Sequence, residues 1–236
     1  MDSFLFNFST PQQLVRLSMP VNKRRMFNSF FKSTMSLIPV LVCVLLSGQI
    51  FAQSLDYTTL QNINKNRNNG SESMMELLNN SDYALCAAVP VFQFITFYST
   101  NHGLNWEDTK QSVLAFGYDI AFTEMFKYSL QRDRPYTTYP SQIKAYRNNT
   151  DPSFPSGHVS MAFANATSLS IRYRKWYYVV PAYAWAGAVG YSQMYLGMHY
   201  PSDVLAGAIV GAGSAWLSLK TNQWINNRKT ARQFMQ

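Results

Sequence analysis

From Trp176 to Ser202 the chain carries no lysine, arginine, aspartate or glutamate, and the tract closes on "MHYPSD", where His199 stands four residues before Asp203. An uncharged stretch of this length has two homes. It is a helix buried in a large protein core, or a helix in lipid, where about 20 apolar residues suffice to span the hydrocarbon. Charged residues make up 14% of the chain, well below the roughly 25% of an ordinary soluble protein. That favours lipid. The mean hydropathy is slightly negative, which argues against a chain that is nearly all membrane.

The tract is one of five apolar blocks, at Tyr83–Ser99, Gln111–Leu130, Val159–Ile171, Trp176–Tyr191 and Val204–Leu219. None alternates with a period of two, so the chain reads as all-α. The last block, "AGAIVGAGSAW", is rich in small residues that let helices approach closely. Upstream, "NKRRMFNSFFK" and "STMSLIPVLVCVLLSGQIFA" form a basic segment and an apolar core ending at Ala52, read either as a secretory signal or as a first membrane helix. The expected layout is therefore an N-terminal segment over 1–52, a polar Asn-rich linker over 53–82, a catalytic domain over 83–220 and a basic tail over 221–236. The basic clusters at Lys23–Arg25, Arg172–Lys175 and Lys220–Arg232 fall on one side if each block crosses once, and that side should be cytoplasmic. Residues 131–158 and 192–203 then share the opposite side. The net charge of +8 is divided between the N-terminal segment and the rest without a dense basic stripe, so nucleic acid is not an expected partner. Cys43 and Cys86 lie in apolar runs and read as small buried hydrophobes.

Three stretches place polar groups at the ends of these blocks. In "KYSLQRDRP", Lys127 and Arg134 are seven apart, two turns along one face of a continuous helix, and Pro135 ends that helix near Arg134. Two cations there can grip one dianion; alone, they equally describe a solvated helix end. In "PSFPSGHVSMAF", Ser156, Gly157 and His158 sit at a helix start whose free N–H groups attract anions, and His158 is placed to protonate a leaving oxygen. In "MHYPSD", Asp203 in the first turn of a helix begun by Pro201 can reach back to a ring nitrogen of His199 and fix its tautomer. Taken together, cations, a helix N-terminus, two histidines and an aspartate are the groups that phosphoryl transfer through a histidine nucleophile requires. A divalent metal would be opposed by the nearby cations, so no metal or other cofactor is expected.

The ordered set "KYSLQRDRP", "PSGH" and "SQMYLGMHYPSD" resembles the type 2 phosphatidic acid phosphatase superfamily, whose pattern runs K-x6-RP, PSGH and SR-x5-H-x3-D. The family also holds class A acid phosphatases and vanadium haloperoxidases. The resemblance covers about residues 83–220. It implies an all-α helical bundle of the PAP2/haloperoxidase type with five or six membrane helices, and no metal for phosphatase activity. It further implies His199 as nucleophile, Asp203 as its orienter, His158 as general acid, and Lys127, Arg134, Ser156 and Gly157 as phosphate ligands. The implied protein is a bacterial inner-membrane phosphatase with a periplasm-facing site, acting on a lipid-linked phosphate or diphosphate. A secreted soluble acid phosphatase and a weakened or inactive phosphate-lipid-binding relative remain the alternatives. The last arises from Gln193, which stands where the family pattern has arginine and keeps hydrogen bonding without the charge or the fork. Arg132, Lys144 and Arg147 in the intervening loop are open as replacements. Tyr136, Tyr139 and Phe154 are expected to anchor at the membrane interface.

Overall fold

A computed structural model of the chain describes residues 53–99 and 106–233, which belong to a unit running from Ala52 to Gln236. Among the described residues there is no strand. The helices are α1 (Gln53–Lys65), α2 (Asn69–Ser99), α3 (Trp106–Leu130), the single turn α4 (Pro135–Thr138), α5 (Gly157–Tyr173), α6 (Trp176–Tyr195) and α7 (Pro201–Gln233). The N-terminal apolar segment expected as a signal or first membrane helix lies outside the described residues.

Small residues set the core. The α5–α7 contact is the most extensive in the bundle, followed by α3–α7 and α5–α6. Along α7, Gly211 comes so close to α5 that a Cβ there would stand 2.0 Å from the Ser160 carbonyl oxygen. No side chain fits, and backbone cannot retreat as a flexible side chain does. Against the other face of α5, Ala162 and Ala166 are fully buried with Ala186 and Val189 of α6, and Phe163, Tyr183 and Trp185 fill the periphery.

Polar pairs tie the helices laterally. Ser112 Oγ donates to Gln93 Oε1 at 2.8 Å between α3 and α2, and Trp185 Nε1 donates to Ser81 Oγ at 3.0 Å between α6 and α2. At the end of the bundle away from the motifs, Arg172 pairs with Asp108 at 2.8 Å and Asn222 Nδ2 donates to the Glu107 carbonyl at 3.0 Å. The outer surfaces stay apolar: Val91, Phe94 and Ile95 of α2, Val113 and Ile120 of α3, Val180 of α6 and Leu205 of α7 are exposed. By length and composition, Pro201–Arg228 can cross a membrane, with a mean hydropathy of 1.3 over its most apolar window.

The helices run beyond the apolar blocks, and the largest departure is at 53–82. That stretch forms α1 and the start of α2, with only residues 66–68 as a link between them. Leu60 of α1 is fully buried in a cluster with Ile143 and Tyr200. Asn64, also buried, donates from Nδ2 to the carbonyls of Lys144 and Tyr195, each at 3.0 Å, while its Oδ1 accepts the Lys144 N–H at 2.8 Å. The polar composition thus serves a helix that hydrogen-bonds to loop backbone. The basic tail is also helical, since α7 continues to Gln233. Tyr136 and Tyr139 pack against the Leu60 cluster and Phe154 is buried, so the expected interfacial anchors point inward instead.

Candidate active site

The three motifs meet at one end of the bundle, where α3 and α6 finish and α5 and α7 begin. They surround a cavity of about 290 Å³ lined by Lys127, Arg134, Gly157, His158, Gln193 and His199 among others.

Lys127 and Arg134 converge, but not along one helix. The helix α3 stops at Leu130, Gln131 takes a left-handed φ of 46°, and Arg134 is extended ahead of Pro135. A turn rather than helical periodicity brings the cations together. Both hold Asp151, a residue that sequence reasoning missed. Lys127 Nζ lies 2.5 Å and Arg134 Nη2 2.9 Å from the same oxygen, Oδ2. Arg134 Nε donates to the Asp151 carbonyl at 2.9 Å and Nη1 to the Met198 carbonyl at 3.1 Å. Burial pushes the Asp151 carboxyl up, but the hydrogen bond from Lys127 and the charges of Arg134 and Lys127 prevail and hold it at about 2. The point between the two cations is thus a site for an anionic oxygen.

Ser156 caps α5, so Gly157 and His158 occupy its first turn as expected. Pro155 lies just outside the helix. The Ser156 Oγ and His158 Nε2 atoms are buried without a hydrogen-bond partner. Orphaned polar atoms of this kind cost stability and ask for a ligand. His158 packs edge-on against Tyr83 of α2, ring centroids 5.1 Å apart.

His199 follows a tight turn through Gly197, whose φ of 70° favours glycine and where a Cβ would stand 2.5 Å from the Lys144 carbonyl oxygen. Its Nδ1–H donates to the Ser153 carbonyl at 2.8 Å. That bond leaves Nε2 unprotonated, and its lone pair accepts from Arg134 Nη1 at 3.4 Å. The expected orienter is one step removed: Asp203 Oδ2 stands 3.6 Å from Nδ1, past hydrogen-bond length. It accepts instead from the Tyr200 N–H at 2.9 Å, while Oδ1 accepts from Arg132 Nη1 at 2.5 Å. Arg132 also bonds Asp56 of α1 at 2.9 Å and lies 4.1 Å from the Tyr200 ring centroid. Asp203 therefore secures the loop around His199 more than the ring itself. Burial pushes the His199 imidazole below its ordinary value of 6.5, against the opposing influence of Asp203.

Gln193 is 1% exposed, and its Nε2 donates to Asn79 Oδ1 of α2. Arg147, Asn79, Tyr83 and Asp119 also line the cavity. Of these, only Arg147 carried a signal in sequence, as one of three basic loop residues. Among the described residues no three histidine, cysteine, aspartate or glutamate side chains are grouped as a metal site.

Comparison with known proteins agrees with this geometry. Over 108 residues the chain is 32% identical to the undecaprenyl-diphosphatase of Sulfolobus acidocaldarius, covering 46% of this chain and 52% of that protein. Over 139 residues it is 30% identical to the lipid A 4'-phosphatase of Bacteroides thetaiotaomicron, covering 55% and 61%. The chain thus spans between half and two thirds of the length of these relatives. Among solved structures, Aquifex aeolicus LpxE superposes with a TM-score of 0.60 at 25% identity, over 69% of this chain and 93% of that one. The transmembrane PAP2-type phosphatidylglycerolphosphate phosphatase of Bacillus subtilis superposes with a TM-score of 0.64 at 22% identity, over 81% and 96%, and so shares the all-α fold. The PAP2 superfamily pattern matches residues 110–227, from the second turn of α3 to within two turns of the end of α7, and the chain belongs to that superfamily.

Proposed function

We propose that the protein is a membrane phosphatase that hydrolyses a lipid-linked phosphate or diphosphate through a phosphohistidine, with the site open to the periplasm. The observation that carries this reading is the convergence of Lys127, Arg134, the N-terminus of α5 and two imidazoles on one cavity at the end of an apolar-faced bundle. The relatives named for undecaprenyl diphosphate and lipid A support a lipid substrate.

A terminal phosphate enters with its oxygens at Lys127, Arg134, Ser156 Oγ and the N–H of Gly157, sharing or displacing the place held by the Asp151 carboxylate. His199 Nε2 attacks phosphorus as the bond to the bridging oxygen breaks. His158, protonated in the field of the bound phosphate dianion, gives that oxygen a proton and becomes neutral, so an alcohol, or a monophosphate in the diphosphate case, leaves. The Ser153 carbonyl and the Asp203-braced loop hold the resulting imidazolium. Water then attacks the phosphohistidine, His158 takes its proton, the P–N bond breaks and inorganic phosphate departs. Stabilising charge in a dry, preorganised site of this kind is commonly the largest catalytic term.

Phosphate release by the purified full chain in detergent, from undecaprenyl diphosphate, lipid A and phosphatidylglycerol phosphate, tests the reading. At least one should be hydrolysed, with an acid-labile phosphoprotein trapped on rapid quenching and lost in His199→Ala. No release from any lipid, or equal release by His199→Ala, overturns it. A weakened, binding-only role is favoured by one observation, the neutral Gln193–Asn79 pair where a cation is expected. In that case the chain binds these lipids without releasing phosphate.

A further inference from the structure

The site has two cations already neutralised in part by Asp151, and a neutral amide pair on the wall formed by α2 and α6. A phosphate dianion developing further charge needs more than that. Besides Arg134, three basic residues lie in the connection from α3 to α5. Arg132 is committed to Asp203, Ser202 and Asp56. Lys144 contributes its backbone to Asn64 and does not line the cavity. Arg147 lines the cavity and has no hydrogen-bonded or ion-paired partner among the described residues.

The backbone that presents Arg147 is fixed on both sides. Ahead of it, Ile143 is buried, Lys144 is held by Asn64, and the Tyr146 N–H donates to the Leu196 carbonyl at 3.0 Å. The Tyr146 hydroxyl also bonds Glu76 of α2. Behind it, the Asn149 N–H donates to Tyr136 Oη at 2.7 Å, and that hydroxyl donates to the Asn149 carbonyl at 3.0 Å. Arg147 is exposed at the cavity, but the backbone that carries its unpaired guanidinium is pinned, which limits what ordering it on an anion costs. Its charge acts on His158, Tyr83 and Asp82, which places it toward the wall where Asn79 holds Gln193.

We propose that Arg147 is a phosphate ligand of this site, delivering from the loop between α4 and α5 the charge that Gln193 does not supply from α6. The proposal rests on the phosphatase reading for its substrate, but its binding arm does not. Five full-length proteins are compared: wild type, Arg147→Ala, Gln193→Arg, the double variant, and Lys144→Ala as a control on the same loop. Readouts are kcat/KM on the hydrolysed lipid and the affinity for orthovanadate and inorganic phosphate by calorimetry. Arg147→Ala should lower kcat/KM by about 10²–10³, in the range seen on removing one oxyanion donor, and weaken both anions at least tenfold. Adding Gln193→Arg to it should restore at least tenfold, more than Gln193→Arg adds to wild type, and Lys144→Ala should stay within threefold. If Arg147→Ala binds both anions within threefold of wild type, the proposal is overturned, whatever the activity. If wild type releases no phosphate yet binds the anions through Arg147, the phosphatase reading fails and this one stands. Wild type that binds neither anion overturns both.

Discussion

Asp151 puts a carboxylate oxygen between Lys127 and Arg134, where the proposed mechanism seats a phosphate oxygen, so its charge would work against that ligand. Asp151→Asn keeps the shape and removes the competing charge. Orthovanadate should then bind about fivefold more tightly, corresponding to the ~1 kcal/mol of two charges about 4 Å apart in water. Weaker binding by Asp151→Asn would make the residue an organiser of Lys127 and Arg134 instead. The pH behaviour follows from the same neighbourhood. Because the folded Asp151 is held at about 2, below its ordinary 3.8, its contribution to stability is present above pH 4 and is lost as pH falls toward 2. His199 acts in the same direction, at higher pH. Its folded value lies below 6.5, so the unfolded chain binds the extra proton and stability declines as pH falls below 6.5. The proposed nucleophile correspondingly stays neutral into acid, and the acid limb of kcat/KM for the free protein should lie below pH 6.5. A limb above that value in a pH–rate profile contradicts the burial argument. Lys127, Arg134, His158 and His199 were legible as a set because their spacing places them at element ends. Asp151 was not, since nothing in "NNTDPSF" reveals that the loop carries it back to Lys127, 24 residues earlier.

At the level of elements, the α5–α7 contact positions the chemistry. It sets the start of α5, with Gly157 and His158, against the start of α7, with Asp203, and the Ser156 N–H donates to the Asp203 carbonyl at 3.1 Å. Gly211, about two turns further along α7, fixes how close the two helices lie. Gly211→Ala drives a methyl into the Ser160 carbonyl and should destabilise the fold by about 1–3 kcal/mol or more. It should also cut activity through the displaced helix start. A melting temperature within 1 °C of wild type, on the order of 0.5 kcal/mol or less, would falsify the close-packing argument. The "AGAIVGAG" composition announced this approach in sequence. The helical character of 53–82 was hidden for a related reason. Asn64 looks like a loop residue by composition, yet it sits in α1 and holds the Lys144 backbone, and Arg67, in the short link to α2, donates from Nη1 to the Lys144 carbonyl as well. Polar side chains that satisfy a distant backbone leave no periodic trace of their own. The break of α3 at Leu130 was equally hidden, because a left-handed glutamine gives no compositional warning.

For the molecule as a whole, polarity along the bundle axis matters more than net charge. The cavity lies at one end, while Arg172, Lys175 and Lys220 belong to the other, beside the Asp108 and Glu107 partners of α3. Between the ends the outward residues are apolar, and an intervening lipid layer would satisfy them as water does not. Cations are retained preferentially on the cytoplasmic side, so the cavity should open to the periplasm. Single cysteines decide this orientation. Cys86 is buried, and it and Cys43 are first replaced by alanine. Ser141→Cys then lies in the exposed loop at the cavity end and Lys175→Cys in the exposed turn between α5 and α6. In cells with a permeable outer membrane and an intact inner one, a membrane-impermeant maleimide should label position 141 and spare 175 until the inner membrane is broken. Labelling of 175 alone would reverse the topology and put the substrate in the cytoplasmic leaflet. Labelling of both, with the protein in the aqueous fraction, would favour a secreted soluble phosphatase and leave the apolar outer faces to be covered by protein rather than lipid.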